Sequence, residues 1–331
     1  MSEQHEIAVI GGDGVGPEVV AAELAVLEAS GVPMSFTHYQ AGDDCLEKTG
    51  QAMPEETVAG AKAAEAVVFG AAGKTAAEVI LRLRAELGAW ANLRPSKAYP
   101  GVDCLRPETD IMIVRENSEG LYCGEEGERG PGVATATRVI SDAASYRIAR
   151  YAFEYAQAND YSKVTAVHKV NVLRKTDTVF LEACRRAATE FPGMIYEEAL
   201  VDSVAMRMVL EPAEFSVMVT TNLFGDILSD LAAGLIGGLG LCPSANVGDG
   251  PGLFEPVHGT APDIAGQGKA NPFAAIFCGA MLLKYLGHVP AGERVEQALT
   301  DCLAAGQATA DLGGSLSTMG MAEAVIARMG Q

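Results

Sequence analysis

Ile7-Ala-Val-Ile-Gly-Gly-Asp-Gly-Val-Gly-Pro-Glu18 runs from four apolar residues through a glycine-rich turn into a segment whose Pro17 suits a first helical turn. The order strand, glycine loop, helix is the opening of an α/β unit. In such a loop the glycines either admit an anion to the backbone at the helix N-terminus or simply make a tight turn, and both readings stand on the sequence. The loop is not the fingerprint of a Rossmann fold. Gly12 and Gly14 would need a third glycine at position 17, where the chain has Pro17. Gly73-Lys-Thr75 likewise resembles the end of a phosphate-binding P-loop, but Val68 stands where its first glycine is required.

Working outward, short apolar or β-branched runs recur at 66–69, 111–114, 164–167 and 217–220, with helical patterns at 17–30, 141–158 and 177–190. Strands that are apolar throughout are buried on both faces, so the expected class is α/β with a largely parallel sheet. Residues 123–138 are rich in Gly, Glu and Thr, lack a helical period, and read as an extended β arm. A length of 331 residues suggests about two domains, and a composition 49% hydrophobic and 20% charged excludes a disordered chain. The longest strongly apolar run, 231–242, is shorter than the roughly 20 residues of a membrane helix and reads as core. The polar, acidic start carries no leader pattern, which predicts a cytoplasmic protein with no membrane partner. Seven cysteines without a C-x-x-C pair predict reduced, mostly buried thiols. With 43 acidic against 24 basic residues the net charge is −19, which opposes binding to nucleic acid or anionic lipid.

Three features carry chemistry. Thr75-x-x-Glu78 predicts a capping box and Gly88 a stop, so that Ala77, Ile80, Leu81 and Arg84 share one helical stripe. That stripe either lines a pocket for a ligand with an apolar branch and a carboxylate, or faces the core with Arg84 reaching to solvent. Arg94 and Arg115 add two fork-shaped donors suited to carboxylates, the alternative being structural ion pairs. Asn222 stands where it can cap a helix on which Asp226 and Asp230, four apart, share a face. Two carboxylates beside so apolar a segment fit a hard divalent cation, Mg²⁺ or Mn²⁺, better than a solvated face. Residues 255–271 form a polar loop punctuated by Gly and Pro, of a length that is usually functional. In it His258 can meet a base and Asp263 can accept both hydroxyls of a ribose.

The stretches GGDGVGPE (11–18), WANLRP (90–95), VRENSEGLY (114–122), HKVNVLRKTD (168–177), 220–241 and LFEPVHGTAPDIAG (253–266) together resemble the metal-dependent β-decarboxylating dehydrogenases of 2-hydroxy acids. The likeness spans roughly residues 6–327, and its wording is similar to archaeal isopropylmalate dehydrogenases, some of which also take 3-methylmalate. It implies an isopropylmalate/isocitrate dehydrogenase-like fold, two α/β domains sharing a mixed, largely parallel sheet. A cofactor domain would comprise 1–97 and 251–331, and a dimerisation and substrate domain 98–250, with its arm near 123–138.

By the same resemblance Arg84, Arg94 and Arg115 clamp the malate carboxylates, with Ile80, Leu81 and Asn171 beside the substrate. Tyr122 protonates the enol after decarboxylation, and Lys169 helps deprotonate the hydroxyl. Asp202, Asp226 and Asp230 hold the metal, and NAD binds through Glu255, His258, Gly259, Ala261, Asp263, Ile264 and Asn271. Lys169 and Asp202 would act in a second subunit, which makes a homodimer with shared sites, or a tetramer built from it, the active unit.

Asp263-Ile264 replaces the Lys-Tyr pair of NADP-using relatives, so NAD is the expected cofactor. The aliphatic stripe favours 3-isopropylmalate, the leucine-pathway substrate, over a third carboxylate, which would be buried without a partner. Typical bacterial isopropylmalate enzymes have a glutamate seven residues before the first arginine, where this chain has Ala77. Homoisocitrate, isocitrate, D-malate and tartrate are the alternative substrates, and a non-catalytic NAD-binding regulatory subunit is the reading from a different class.

Overall fold

A computed structural model describes residues 4–330. The chain divides into two compact units, one built from residues up to Ala89, Tyr99–Leu105 and the chain from Ile236 onward, the other from Trp90–Ala98 and Arg106–Leu235.

In the first unit, strands β1 (His5–Gly12), β2 (Met34–Tyr39), β3 (Ala66–Ala71), β11 (Pro243–Val247) and β12 (Gly252–Pro256) lie in the order β2-β1-β3-β12-β11. All neighbours are parallel except β11 and β12. Residues 7–10 and all of β3 are buried, as expected of strands covered on both faces. The helices of this unit are α1 (Gly16–Ala29), α2 (Asp43–Thr49), α3 (Glu55–Ala63), α4 (Arg82–Glu86), α9 (Phe273–Tyr285), α10 (Val289–Ala304) and α11 (Thr318–Met329).

The structure decides between the two readings of the glycine loop. Gly12 and Gly14 have φ of +71° and +60°, and a Cβ on either would come within 1.9 and 2.1 Å of the carbonyls of Ala71 and Thr260. These glycines therefore serve a tight turn pressed against its own backbone. Asp13 in the same turn accepts the N–H groups of Asp43 (2.9 Å), Asp44 (3.2 Å) and Gly73 (2.9 Å). Asp43 in turn accepts those of Lys74 (2.9 Å) and Thr75 (2.8 Å), together with the Thr75 hydroxyl (2.8 Å). These bonds, that of the Lys74 N–H foremost, hold the Asp43 carboxyl below its usual range.

The predicted capping box is therefore absent: the Thr75 hydroxyl is committed to a residue 32 positions away. The helix that follows starts as a π turn, Ala77–Leu81, and continues as α4. Gly88, at φ +61°, does lie just beyond its end.

In the second unit, strands β4 (Ala91–Lys97), β5 (Asp110–Glu116), β8 (Lys163–His168), β9 (Ile195–Leu200) and β10 (Val217–Thr220) lie in the order β4-β5-β10-β8-β9, with only β4 antiparallel to its neighbour. Residues 90–97, expected in the first domain, group here because β4 pairs with β5 along its whole length. Helices α5 (Asp142–Ala158), α6 (Thr176–Ala188), α7 (Val201–Leu210) and α8 (Asn222–Ile236) complete the unit. Ser141 caps α5 by accepting the Ala144 N–H at 3.2 Å. The expected arm is an exposed antiparallel hairpin, β6 (Glu126–Gly130) with β7 (Val133–Ala136). The apolar run 231–242 is only partly core: α8 ends at Ile236, and Gly234, Gly237 and Leu239 are exposed. Five of the cysteines are buried, Cys123 is exposed, and all seven are free thiols. Among the described residues no helix is long and apolar enough to cross a membrane.

Glu23 on α1 is fully buried, and neither carboxyl oxygen has a hydrogen-bond partner among the described residues. Burial pushes its pKa well up, so the folded state holds a proton that the unfolded chain releases near its usual value of about 4.3. The folded state thus binds more protons, and stability must fall as pH rises above that value. Glu23→Met is expected to raise stability by about 1–3 kcal/mol at pH 8, and by less at pH 5. Calorimetric melting at both pH values checks this, and an equal or smaller gain at pH 8 would refute the assignment.

Candidate active site

The register of the second unit brings four elements to one point. Antiparallel pairing sets Asn92 of β4 opposite Arg115 of β5, with Arg94 two residues along β4. Parallel pairing sets Thr220 of β10 beside Arg115, so α8 begins next to that guanidinium. Arg115 is 1% exposed, and its Nε and Nη2 donate to Asn222 Oδ1 at 3.0 and 2.7 Å. Its Nη1 donates to Asp226 Oδ1 at 2.5 Å. Arg94, also buried, donates from Nη1 to Asp226 Oδ1 (3.1 Å) and Ser229 Oγ (2.6 Å), and from Nε to Asn92 Oδ1 (2.7 Å). The other oxygen of Asp226 accepts the Tyr122 hydroxyl at 2.6 Å, and the Arg115 guanidinium lies 5.1 Å from the Tyr122 ring centre.

Asn222 thus does not cap α8 with its side chain. Its oxygen serves Arg115, and its Nδ2 donates to the Glu119 carbonyl at 3.1 Å. Burial, then the hydrogen bond to Asp226, raises the Tyr122 phenol and keeps it protonated. Asp230, one turn on and exposed, lies 3.9 Å from Arg94. Partial desolvation and the Asp226 charge raise its pKa, with Arg94 and Arg115 opposing.

Lys169 sits in the turn after β8 with the exposed Asn171. Its Nζ hydrogen-bonds Asp202 of α7, which lowers the Asp202 pKa. Among the described residues no three His, Cys, Asp or Glu side chains are grouped to hold a metal, so one chain does not bring Asp202 to Asp226 and Asp230. The two helices share a feature, however. On α7 the exposed Met206 and Leu210 follow Asp202 at steps of four, and on α8 the exposed Ile227 precedes Asp230 by three. Asp202 therefore shares an exposed helix face with two apolar side chains, and Asp230 with one.

In the first unit the stripe is neither wholly core nor wholly exposed. The π turn and α4 bury Val79 and Leu83 while leaving Ile80, Leu81 and Arg84 half-buried and Ala77 exposed. Arg84 donates to Glu255 Oε1 from Nη2 at 2.6 Å, and Asn246 donates to the same oxygen at 2.9 Å.

In the loop after β12, His258 Nδ1 donates to the Gly259 carbonyl at 3.0 Å. Burial lowers its pKa, which favours the neutral ring and leaves Nε2 an acceptor, buried and unpartnered among the described residues. Gly259 and Asp263 are exposed, Ala261 has φ +37°, and Ile264 packs on Val15 and Val19. Asn271 accepts the Phe273 N–H (3.0 Å) at the start of α9 and donates to Asp311 (3.0 Å), both structural bonds.

Sequence reasoning missed Asn222 and Ser229 as partners of the arginines, and Gly225. A Cβ on Gly225 would lie 2.7 Å from Arg115 Cγ. The only signal for Asn222 and Ser229 was a spacing of four and three from Asp226 on one helix, and Gly225 carried none.

Residues 6–325 match the isocitrate/isopropylmalate dehydrogenase family. A 3-isopropylmalate/3-methylmalate dehydrogenase of Methanocaldococcus jannaschii is 52% identical over 98% of this chain and 99% of that protein. A 3-isopropylmalate dehydrogenase of Methanothermobacter thermautotrophicus is 53% identical over 98% of each chain. The crystal structure of isocitrate dehydrogenase from Methylococcus capsulatus superposes with a TM-score of 0.95 at 42% identity, covering 99% of this chain and all of that one.

Gly225→Ala is expected to push Arg115 off Asn222 and Asp226, lowering turnover by about 10²-fold and, because the displaced charge stays buried, lowering the melting temperature as well. Steady-state rates alongside a melting curve check this, and wild-type turnover would show that the arginine's placement is not needed.

Proposed function

As the chain belongs to the isocitrate/isopropylmalate dehydrogenase family, we propose that it oxidises and decarboxylates 3-isopropylmalate to 2-oxoisocaproate with NAD and Mg²⁺ or Mn²⁺, and accepts 3-methylmalate as well. The observation that carries the reaction type is Asp226 of α8, which gathers Arg94 of β4, Arg115 of β5 and the protonated Tyr122. The half-buried Ile80 and Leu81 beside Arg84 favour an aliphatic substituent on the malate. A third carboxylate set against those side chains would be desolvated without a counter-charge, which disfavours isocitrate and homoisocitrate.

Arg84, Arg94 and Arg115 bind the substrate carboxylates. Lys169 takes the hydroxyl proton, and NAD, when bound, would supply the hydride acceptor for oxidation at C2; the ketone so formed activates the β-carboxylate for loss as CO₂. Tyr122, held protonated beside Asp226, then delivers a proton to the enol carbon. The all-oxygen donors Asp226 and Asp230, completed by Asp202, fit a hard divalent cation, which supplies electrostatic stabilisation for negative charge on the substrate oxygens. NAD fits the 255–271 loop on two counts. The buried lone pair of His258 suits the adenine amino group, and the exposed Asp263 suits a ribose diol while repelling the phosphate of NADP.

The active unit is a homodimer in which Lys169 and Asp202 serve the second copy's site. The exposed Met206 and Leu210 on the face of α7 that carries Asp202, with Ile227 beside Asp230 on α8, support this reading, because such side chains are covered when a second copy packs there.

Initial rates of NADH formation on 3-isopropylmalate, 3-methylmalate, isocitrate, homoisocitrate and D-malate, with and without a chelator, test the assignment. Preference for 3-isopropylmalate, abolished by the chelator, is expected, whereas preference for a tricarboxylate would overturn the reading of Ile80 and Leu81. Lys169→Met is expected to cut turnover by at least about 10²-fold with folding intact. Undiminished turnover in that variant would remove the lysine from the mechanism.

A further inference from the structure

One ion pair lies outside the machinery described so far yet joins the turn that carries Lys169 to the start of α8 in the second unit. Asp177, in the first turn of α6, is completely buried. One of its oxygens accepts the backbone N–H of Lys169 at 2.5 Å, and the other accepts Arg138 Nη1 at 2.5 Å. Arg138 follows the hairpin strand β7 and is 13% exposed. Besides Asp177, it donates to Thr176 Oγ1 (2.6 Å) and, from Nη2, to Thr221 Oγ1 (2.9 Å). Its guanidinium also lies 5.3 Å from the ring centre of Phe224 in the first turn of α8. The next residue, Val139, exchanges backbone hydrogen bonds of 2.9 and 3.3 Å with Gly120, two residues before Tyr122.

Two buried charges are costly, and a hydrophobic pair would fill the same space at less cost. Their geometry does what a hydrophobic pair cannot. A planar fork with several directed donors ties the end of the arm, the start of α6 and the start of α8 together. The carboxylate extends that frame to the main chain of Lys169.

We propose that Arg138 and Asp177 are positioning residues that set the Lys169 side chain for proton removal, by locking its backbone to the arm and to the helix that carries Asp226. This rests on the proposed role of Lys169. Neither residue touches substrate, so the inference predicts a loss in the rate of the chemical sequence rather than in binding. A side chain displaced by about 1 Å is enough to cost roughly 10²-fold in rate.

The experiment compares kcat and KM for 3-isopropylmalate and for NAD in the full-length enzyme carrying Arg138→Met, Arg138→Lys, or Arg138→Met together with Asp177→Asn. Melting curves and Lys169→Met are run in parallel. The expected result is a kcat lowered about 10- to 100-fold in Arg138→Met, with both KM values within about threefold of wild type. Arg138→Lys, which keeps the charge but not the fork, should recover part of that loss. The double variant, which leaves no charge buried, keeps the test alive if Arg138→Met fails to fold, and it should show the same loss in kcat. A kcat within about twofold of wild type in a folded variant overturns the proposal, as does a loss carried by KM. If Lys169→Met also retains turnover, the lysine reading has failed. If Lys169→Met alone loses it, the positioning role has failed by itself.

Discussion

Arg115 puts a full positive charge where almost no water reaches, and a charge so placed persists only if it is met on every donor. Asn222 and Asp226 meet it, and since both belong to the first turns of α8, the demand of one guanidinium on β5 sets where that helix starts and which way it faces. Asp226 then has one oxygen shared by two arginines and the other given to Tyr122. A phenol that donates to a carboxylate keeps its proton, so the arrangement that compensates the arginines also holds Tyr122 in the state an acid needs. Gly225 belongs to the same constraint, because any side chain there would occupy the space of the Arg115 stem.

The first unit solves a different problem in a similar way. Its loops must be held without regular secondary structure, and Asp13 and Asp43 do this by accepting main-chain N–H groups from segments far apart in the chain. The consequence is local: the helix after β3 loses its expected cap and begins as a π turn. Such insertions recur at functional sites because they re-aim side chains without ending the helix. Here the result is a pair of aliphatic residues, Ile80 and Leu81, left half-buried beside Arg84 while their neighbours Val79 and Leu83 enter the core.

Much of this was legible in the chain. The α/β class followed from runs such as 66–69 and 111–114 that stay apolar at every position. The arm followed from residues 123–138, which have neither helical period nor core-forming side chains. Asp226 and Asp230 were legible because helical geometry alone places residues four apart on one face. The capping box at Thr75 and the side-chain cap at Asn222 were local expectations that failed for one reason: a stronger partner arrived from elsewhere, Asp43 in the first case and Arg115 in the second. Propensity and capping rules describe a residue with its chain neighbours, and they yield when tertiary contacts supply a charged partner.

The sequence by itself determined the α/β class, the central strands of each unit, the net negative charge and the chemical character of the candidate residues, since each depends on composition or on spacing within a few turns. Only the tertiary structure decided that Arg94 and Arg115 share a carboxylate 132 and 111 residues away, and that Asp177 grips the backbone of Lys169. It also decided that the glycine loop is a tight turn. Those outcomes depend on strand register and on distances between segments remote in sequence. Such distances are set by how whole strands and helices pack, which no local pattern encodes.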